Sequence, residues 1–337
     1  MFATVYRSTQ GHFRKSVGPG HQVGGGLSHA NKSRTAKLAE RLFWEVTDHL
    51  KHTFPQYAHG RLSKALFRFK RKIHIIDSTT IELVANCMDW AKHRRRKAAA
   101  KTHMRLDMES MLPRFAIVDT AKHNDNLRAR ELCAGLQAGE VVIFDRAYND
   151  FDHLDDLDQR DVQWVGRQKK RTACEVIESM ETSGDILHDE IIVLNQGLIV
   201  RRITAWVEVD GKRRKMDFLT NNRQWSAQTI TNLYKARWQI EVFFKQIKQT
   251  LKLTDFLGHS ANAVRWQVWT ALLVYVLLRF LSRMSSWSHS FTRIFAVVRA
   301  SLWQRVELHG FLKTLCGTAG GGFRNLARPD QAYFPGF

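Results

Sequence analysis

At 337 residues, 44% of them hydrophobic, the chain is long enough for one large or two ordinary domains with a real core. Fifty-two Lys and Arg against 32 Asp and Glu leave a net charge of +20 and a pI near 10.1, which makes a polyanion, nucleic acid first, the expected partner. The most apolar stretch, Val268 to Leu278, is about half the ~20 residues a membrane span needs, and four isolated cysteines without a CxxC pair argue against zinc or a disulfide scaffold and for reduced thiols in a cytosolic protein.

In chain order, residues 1–36 show no apolar period. VGPGHQVGGG is glycine-rich and polar, which predicts a loosely packed arm whose Arg14, Lys15, Lys32 and Arg34 are solvated or touch phosphate. Ala36 to about Leu50 has helical spacing, closed off by Pro55. Lys72-Ile-His-Ile-Ile-Asp77 then reads as a buried strand, followed by Ser78-Thr-Thr-Ile-Glu-Leu83. An ionised Asp77 at its end is costly without a partner; a metal ion is one such partner, and a turn or cap role before Ser78 is the other reading. Lys92 to Lys97 holds six basic residues, counting His93, expected as an insert between strands that meets phosphate or is simply solvated.

Phe115 to Asp119 reads as a strand, Asn124 to Leu136 as a helix, and Val141-Val-Ile-Phe-Asp145 as a strand covered on both faces with its Asp at the carboxyl end, where ligands collect in α/β sheets. Asp119 is the rival to Asp145, with a capping role as its alternative. Asp150–Gln159 (helix) and Val162–Gly166 (strand) close this block. Residues 169–224 alternate or cluster β-formers between Gly-containing turns, predicting a small antiparallel sheet. Trp164, Trp206 and Trp225 suit core packing, with Trp206 the candidate for facing an unstacked base.

Tyr234 to Lys252, taken as one α-helix at roughly 100° per residue, gathers Tyr234, Arg237, Glu241, Lys245, Lys248 and Lys252 on one face. Ile240, Phe243, Phe244, Ile247 and Leu251 form a buried stripe behind them. A solvated ion-paired face is the plain reading of that cationic side. Asn262 to Met284 is an apolar helix expected against the sheet, Phe291 to Gly310 a helical segment, and the chain from Thr318 a Gly-rich tail.

Tyr234-x2-Arg237-x3-Glu241-x6-Lys248 resembles the Y-R-E-K signature of the IS-four family of bacterial insertion-sequence transposases, with every residue type at every spacing. IDSTTIEL at Asp77 resembles that family's first catalytic strand, and Asp145-Arg146-Ala147-Tyr148 its second-aspartate motif; the likeness covers about residues 65–285. The resemblance implies an α/β, RNase H-like mixed sheet with flanking helices, interrupted by a β-rich insertion between the second Asp and the Glu-bearing helix. It implies Asp77, Asp145 and Glu241 as a catalytic DDE triad holding two Mg²⁺ or Mn²⁺ ions, the hard cations that all-oxygen ligands favour. Tyr234, Arg237 and Lys248 would contact DNA near the transposon end, with Lys245, Arg146 and Trp206 as further DNA contacts. Transposon-end and target DNA, self-association in a synaptic complex, a hairpin intermediate, no membrane, and a cytoplasmic, nucleoid-associated setting complete the expectation. The family's helical region before the first catalytic Asp has room here for little more than one helix, as in an N-terminally shortened transposase.

The expected organisation is a basic region with one helix (1–65), the first part of the catalytic core (66–168), the β-rich insertion (169–224), the core with the Glu-bearing and packing helices (225–285), and a C-terminal helical segment with the tail (286–337). Two other function classes fit the same residues: a nuclease of this fold that cuts without joining, and a non-catalytic DNA-binding remnant.

Overall fold

A computed structural model describes residues 33–58, 71–83, 92–94, 97–120, 125–169, 172–194, 197–209, 211–251, 258 and 260–316. Helices α1 (Lys37–Thr53) and α2 (Pro55–Ala58) precede strands β1 (Ile73–Leu83), β2 (Lys92–Arg94), β3 (Lys97–Asp107) and β4 (Pro113–Thr120). Helix α3 (Asp125–Cys133), β5 (Val141–Phe144), a 3₁₀ turn (Arg146–Tyr148), α4 (Phe151–Gln159) and β6 (Gln163–Arg167) follow. Then come β7 (Cys174–Ser179), β8 (Ile186–Leu194), β9 (Ile199–Val209) and β10 (Lys212–Thr220), helices α5 (Ala227–Ala236) and α6 (Trp238–Lys245), and a π-helical turn (Gln246–Thr250). Helices α7 (Ala261–Met284), α8 (Phe291–Ser301) and α9 (Leu308–Leu315) complete the described chain.

The core sheet is ordered β4-β3-β1-β5-β6, with β4, β3 and β1 antiparallel and β5 and β6 parallel to β1. Three antiparallel strands followed by two reached through helical crossovers is the RNase H-like arrangement. Apolar runs put the parallel strands in the middle, because only residues that are hydrophobic on both faces tolerate cover on both sides. Val141 and Ile143 pack with α1, α5, α6 and α7, whereas Val142 and Phe144 pack against α3 and α4. Serine side chains cap three of the helices, Ser226 accepting from the Thr229 N–H, Ser260 from Ala263 and Ser290 from Arg293. Helix α7, 24 residues long, is apolar enough by length and composition to cross a membrane. Its Val264, Val268, Leu272, Tyr275 and Val276 are buried in the protein core, which accounts for its composition.

Four readings differ from the sequence expectation. The basic Lys92–Lys97 insert is part of a β-hairpin, β2–β3, and β3 runs on to Asp107 in the heart of the sheet. The β-rich insertion is antiparallel, as expected, but not a separate sheet: β10 pairs with β6, so that β6-β10-β9-β8-β7 extends the core sheet to ten strands among the described residues. The single helix from Tyr234 to Lys252 is α5 and α6 joined at Arg237, then a π turn; Lys252 lies outside the described residues. Phe291 to Gly310 is likewise two helices, parted at Leu302 to Glu307.

His74 and His153 are buried, and desolvation depresses both imidazoles, that of His153 to about 4. A base whose folded pKa lies below its unfolded value takes a proton more readily when unfolded, so its contribution is complete above about pH 6.5 and lost as the pH falls toward 4. His153 alone is expected to cost about 2 kcal/mol between pH 6.5 and pH 5. Thermal melts of wild type and His153→Leu across that interval check this: the variant's curve should be the flatter.

Candidate active site

Strand register places the first two acids. Ile76 pairs with Phe144 across β1 and β5, so Asp77 and Asp145 both follow the last parallel pair; Asp145 stands just past the end of β5, whereas Asp77 does not end its strand as expected, because β1 runs on to Leu83 against β3. Asp145 opens the Arg146–Tyr148 turn, which the Asn149 side chain and Lys169 tie down: Asn149 Nδ2 donates to the Arg167 carbonyl at 2.6 Å and Lys169 Nζ to the Asn149 carbonyl at 2.6 Å. Beside it, β6 carries Gly166 opposite Phe144, and a Cβ there would fall 2.6 Å from the Phe144 ring, so only glycine lets β6 approach this closely.

The third acid arrives on α6, anchored by buried Ile240, Phe243 and Phe244. At the α5–α6 joint the Arg237 N–H donates to Tyr234 O and the Ile240 N–H to Arg237 O, i→i+3 bonds that tighten the helix and turn Tyr234 and Arg237 toward the strand ends. Tyr234 OH donates to Asp145 Oδ1 at 3.0 Å. Arg237 Nη1 donates to Asp77 Oδ2 at 2.7 Å and Nη2 to Glu241 Oε1 at 2.6 Å, with its guanidinium carbon 5.6 Å from the centre of the Tyr234 ring. All three carboxylates are thus tied through Tyr234 and Arg237, residues 89, 160 and 4 positions away from their partners in sequence.

Burial pushes the Asp77 carboxyl up to about 6; Arg237 and the Ser78 N–H oppose the shift, and the nearby charges of Asp145 and Glu241 add to it. Burial likewise raises the Tyr234 phenol, which keeps it a hydrogen-bond donor. Burial lowers the Arg237 guanidinium, but Tyr234 and then Asp77, Asp145 and Glu241 outweigh it, so the group is raised.

The divalent metal that the resemblance implies would need Asp77, Asp145 and Glu241 as its ligands. Among the described residues no three His, Cys, Asp or Glu side chains gather closely enough to hold an ion as they stand, and Arg237 occupies the space between Asp77 and Glu241. Their chemistry nonetheless fits: the donors are all carboxylate oxygens, three anions face one guanidinium, and mutual repulsion is visible at Asp77. A hard divalent cation is what such a surplus of negative charge accommodates.

The other expected contacts disperse. Arg146 and Lys245 are exposed, and Lys248 is half-buried in the π turn; none of them lines the cleft beside the acids. Trp206 lies on the other face of β9 from Ala205 and Val207, under Arg213, whose guanidinium is 5.6 Å from its ring, and so is not brought to the acids. Asp119 sits on β4, beyond β3 from the site, and is paired with Arg128.

Sequence reasoning missed the cleft itself. About 500 Å³ in volume, it lies between α5–α6 and the β9–β10 hairpin, with Arg167, Arg214 and Lys235 contributing to its walls beside Tyr234, Arg237 and Glu241. Trp238, 56% exposed, stands at its edge. The exposed face of an otherwise apolar α6 was the available signal for Trp238. Arg214 belongs to the basic run Lys212–Lys215, visible in the sequence as added positive charge but not as a neighbour of the acids, and Arg167 carried no signal.

Comparison with known proteins adds independent findings. Residues 68–277 match the family described as Transposase DDE domain. The chain is 32% identical over 262 residues to "Putative transposase y4zB" of Sinorhizobium fredii, covering 74% of this chain and 72% of that one. It is 28% identical over 278 residues to "Probable transposase for insertion sequence element IS5377" of Geobacillus stearothermophilus, covering 80% and 73%. Among solved structures, a piggyBac transposase synaptic complex with hairpin DNA aligns with a TM-score of 0.42 at 9% identity; the alignment covers 73% of this chain and 58% of that one.

Proposed function

From the premise that this chain belongs to the DDE transposase family, and so is a DNA transposase that cleaves and joins strands, we propose that Asp77, Asp145 and Glu241 are its catalytic carboxylates. The supporting observation is the pair of hydrogen bonds from Arg237 to Asp77 and Glu241, together with the one from Tyr234 to Asp145, which bring three acids from separate elements to one end of the parallel strands.

These acids would hold two Mg²⁺ or Mn²⁺ ions. When bound, such ions supply Lewis acidity that stabilises negative charge on the attacking and leaving oxygens of a phosphodiester. The chain's own residues do the rest. Tyr234 fixes the Asp145 carboxylate, so that one of its oxygens is orientated before DNA arrives. Arg167, Arg214 and Lys235 present positive charge along the cleft, drawing the phosphate backbone toward the acids. Trp238 offers an exposed ring to a base at the cleft edge, where stacking is worth about 1–3 kcal/mol. The two ends of an element would be brought together by self-association, and the setting would be the bacterial nucleoid.

The test is metal-dependent nicking and joining of a duplex carrying the DNA that flanks the gene. Joined products support the transposase reading, cut products alone the nuclease, and neither the remnant. Lys248, half-buried and away from the cleft, is proposed as a phosphate contact farther along the duplex. Lys248→Ala is expected to weaken binding to every sequence alike and to lower the salt slope by about 0.9. Binding titrations at several salt concentrations check it, and an unchanged slope returns Lys248 to the solvated surface.

A further inference from the structure

Arg237 stands where a cation is wanted. It satisfies Asp77 and Glu241 at once, and its tie to Asp77 is 85% shielded from solvent on the arginine side, the side chain being 15% exposed. Both oxygens of Asp77 are engaged in this arrangement: Oδ1 accepts from the Ser78 N–H at 2.7 Å and Oδ2 from Arg237. Each oxygen keeps a second lone pair, but the positive charge that bridges Asp77 and Glu241 stands where an ion shared by the two acids would sit, so joint coordination requires one donor to move. The backbone N–H is fixed in β1, whereas the arginine side chain borders the cleft and can rotate. The guanidinium also has unused capacity, since its Nε is buried without a hydrogen-bond partner. Arg237 is thus a donor with one unfilled position, in a cleft whose lining also carries the cations Arg167, Arg214 and Lys235 and, besides Glu241, the acid Glu208.

We propose that Arg237 is an exchangeable counter-ion: with the cleft empty it ties Asp77 to Glu241, and a DNA phosphate that takes over its guanidinium frees both carboxylates for a divalent cation. The inference rests on the reading of Asp77 and Glu241 as metal ligands and adds to it a coupling between the two ligands. A guanidinium binds phosphate in the same two-pronged way as carboxylate, so the arginine loses little by changing partners. The carboxylates lose much more, because buried acids deprived of their counter-charge are strongly destabilised. Phosphate on Arg237 without metal leaves the acids bare, and metal without phosphate leaves a buried arginine facing a cation. Only the empty and the doubly occupied sites are balanced. Reciprocity then requires that DNA tighten metal binding by the same factor as metal tightens DNA binding.

The experiment is titration of the full chain with Mn²⁺, read from the paramagnetic resonance of the free ion, with and without a duplex of the gene's flanking DNA. Without DNA, Arg237→Gln removes the competitor and is expected to bind Mn²⁺ at least ~10-fold more tightly than wild type, a coupling of ordinary size. DNA should tighten Mn²⁺ binding to wild type and leave Arg237→Gln unchanged. Arg214→Gln takes the same charge from the same cleft without touching a carboxylate bond and should gain no more than about 3-fold, as expected of a solvent-screened charge. A gain equal to that of Arg237→Gln would make the effect one of overall field and overturn the exchange. So would Arg237→Gln binding Mn²⁺ no better than wild type while Asp77→Asn abolishes wild-type binding; in that case the metal site stands and only the coupling fails. Absence of Asp77-dependent Mn²⁺ binding in every protein overturns the metal site and the exchange together. Should Arg237→Gln not fold by circular dichroism, Arg237→Lys, which cannot span both acids, takes its place with an intermediate gain expected.

Discussion

Replacing Asp77 or Asp145 by Asn, or Glu241 by Gln, is expected to lower the rate of DNA cleavage by at least ~10³-fold, about 4 kcal/mol of transition-state stabilisation, while leaving DNA affinity within a few-fold of wild type. The asymmetry follows from where the charges are. The acids face one another and Arg237, whereas Arg167, Arg214 and Lys235, which meet the backbone, are separate side chains on the cleft wall. Cleavage time courses paired with binding titrations check both halves. Asp77→Asn carries a further expectation. A carboxyl raised to about 6 is costly to ionise in the folded protein, so at neutral pH its amide should leave the melting temperature unchanged or raise it. An inactive Asp77→Asn that melts early has lost its fold rather than its chemistry, and cleavage retained by any of the three variants removes that residue from the triad.

Arg201→Met should be the most destabilising of the single changes, at about 3–5 kcal/mol. Arg201 is buried and donates through Nε and Nη2 to the two oxygens of Asp189, 2.7 Å each, while Nη1 reaches the Trp225 carbonyl at 2.6 Å just ahead of α5. Its removal leaves a buried carboxylate without a counter-charge and unties the helix that carries Tyr234. The expected fall in melting temperature is at least ~6 °C. A double variant, Arg201→Met with Asp189→Leu, should recover most of the loss, because replacing both partners removes the orphaned charge as well. Failure of the double to recover would assign the cost to the Trp225 tie instead.

Much of this was legible in the residues. Ile73, Ile75 and Ile76 and the run Val141–Phe144 announce central strands, each followed by an aspartate, although β1 continues past its aspartate to Leu83. The spacing from Tyr234 to Lys248 singled out the two side chains, Tyr234 and Arg237, that tie the acids together. Strand β3 was hidden because Lys101, His103 and Arg105 alternate with Thr, Met and Leu, and polar residues in a strand paired on two sides look like a loop until both neighbours are known. The break at Arg237 left no mark either, since the apolar stripe continues through it and only the tightened backbone bonds reveal it. Trp206 could have been placed better: Ile203, Ala205 and Val207 are the apolar half of β9, so by alternation the even-numbered Trp206 belongs to the opposite side. Asp119 ended an apolar run as convincingly as Asp145; in the sequence only the motif at Asp145–Tyr148 separates them, and in the fold the order of strands does.

The seam between β6 and β10 rests on three residue pairs, Phe218 with Arg167, Leu219 with Gly166 and Thr220 with Val165. A slip of a single residue there would turn every side chain of β10 over, taking Met216 and Arg214 out of the cleft wall and putting Lys215 in their place. Length changes are therefore cheap at the far rim, around β7, whose side chains are largely exposed, and costly within β10 itself, where one residue more or less between Arg214 and Phe218 inverts the cleft wall. Chimaeras that exchange the insertion between relatives should tolerate any graft that leaves Phe218 to Thr220 in register with β6 and fail with any that does not.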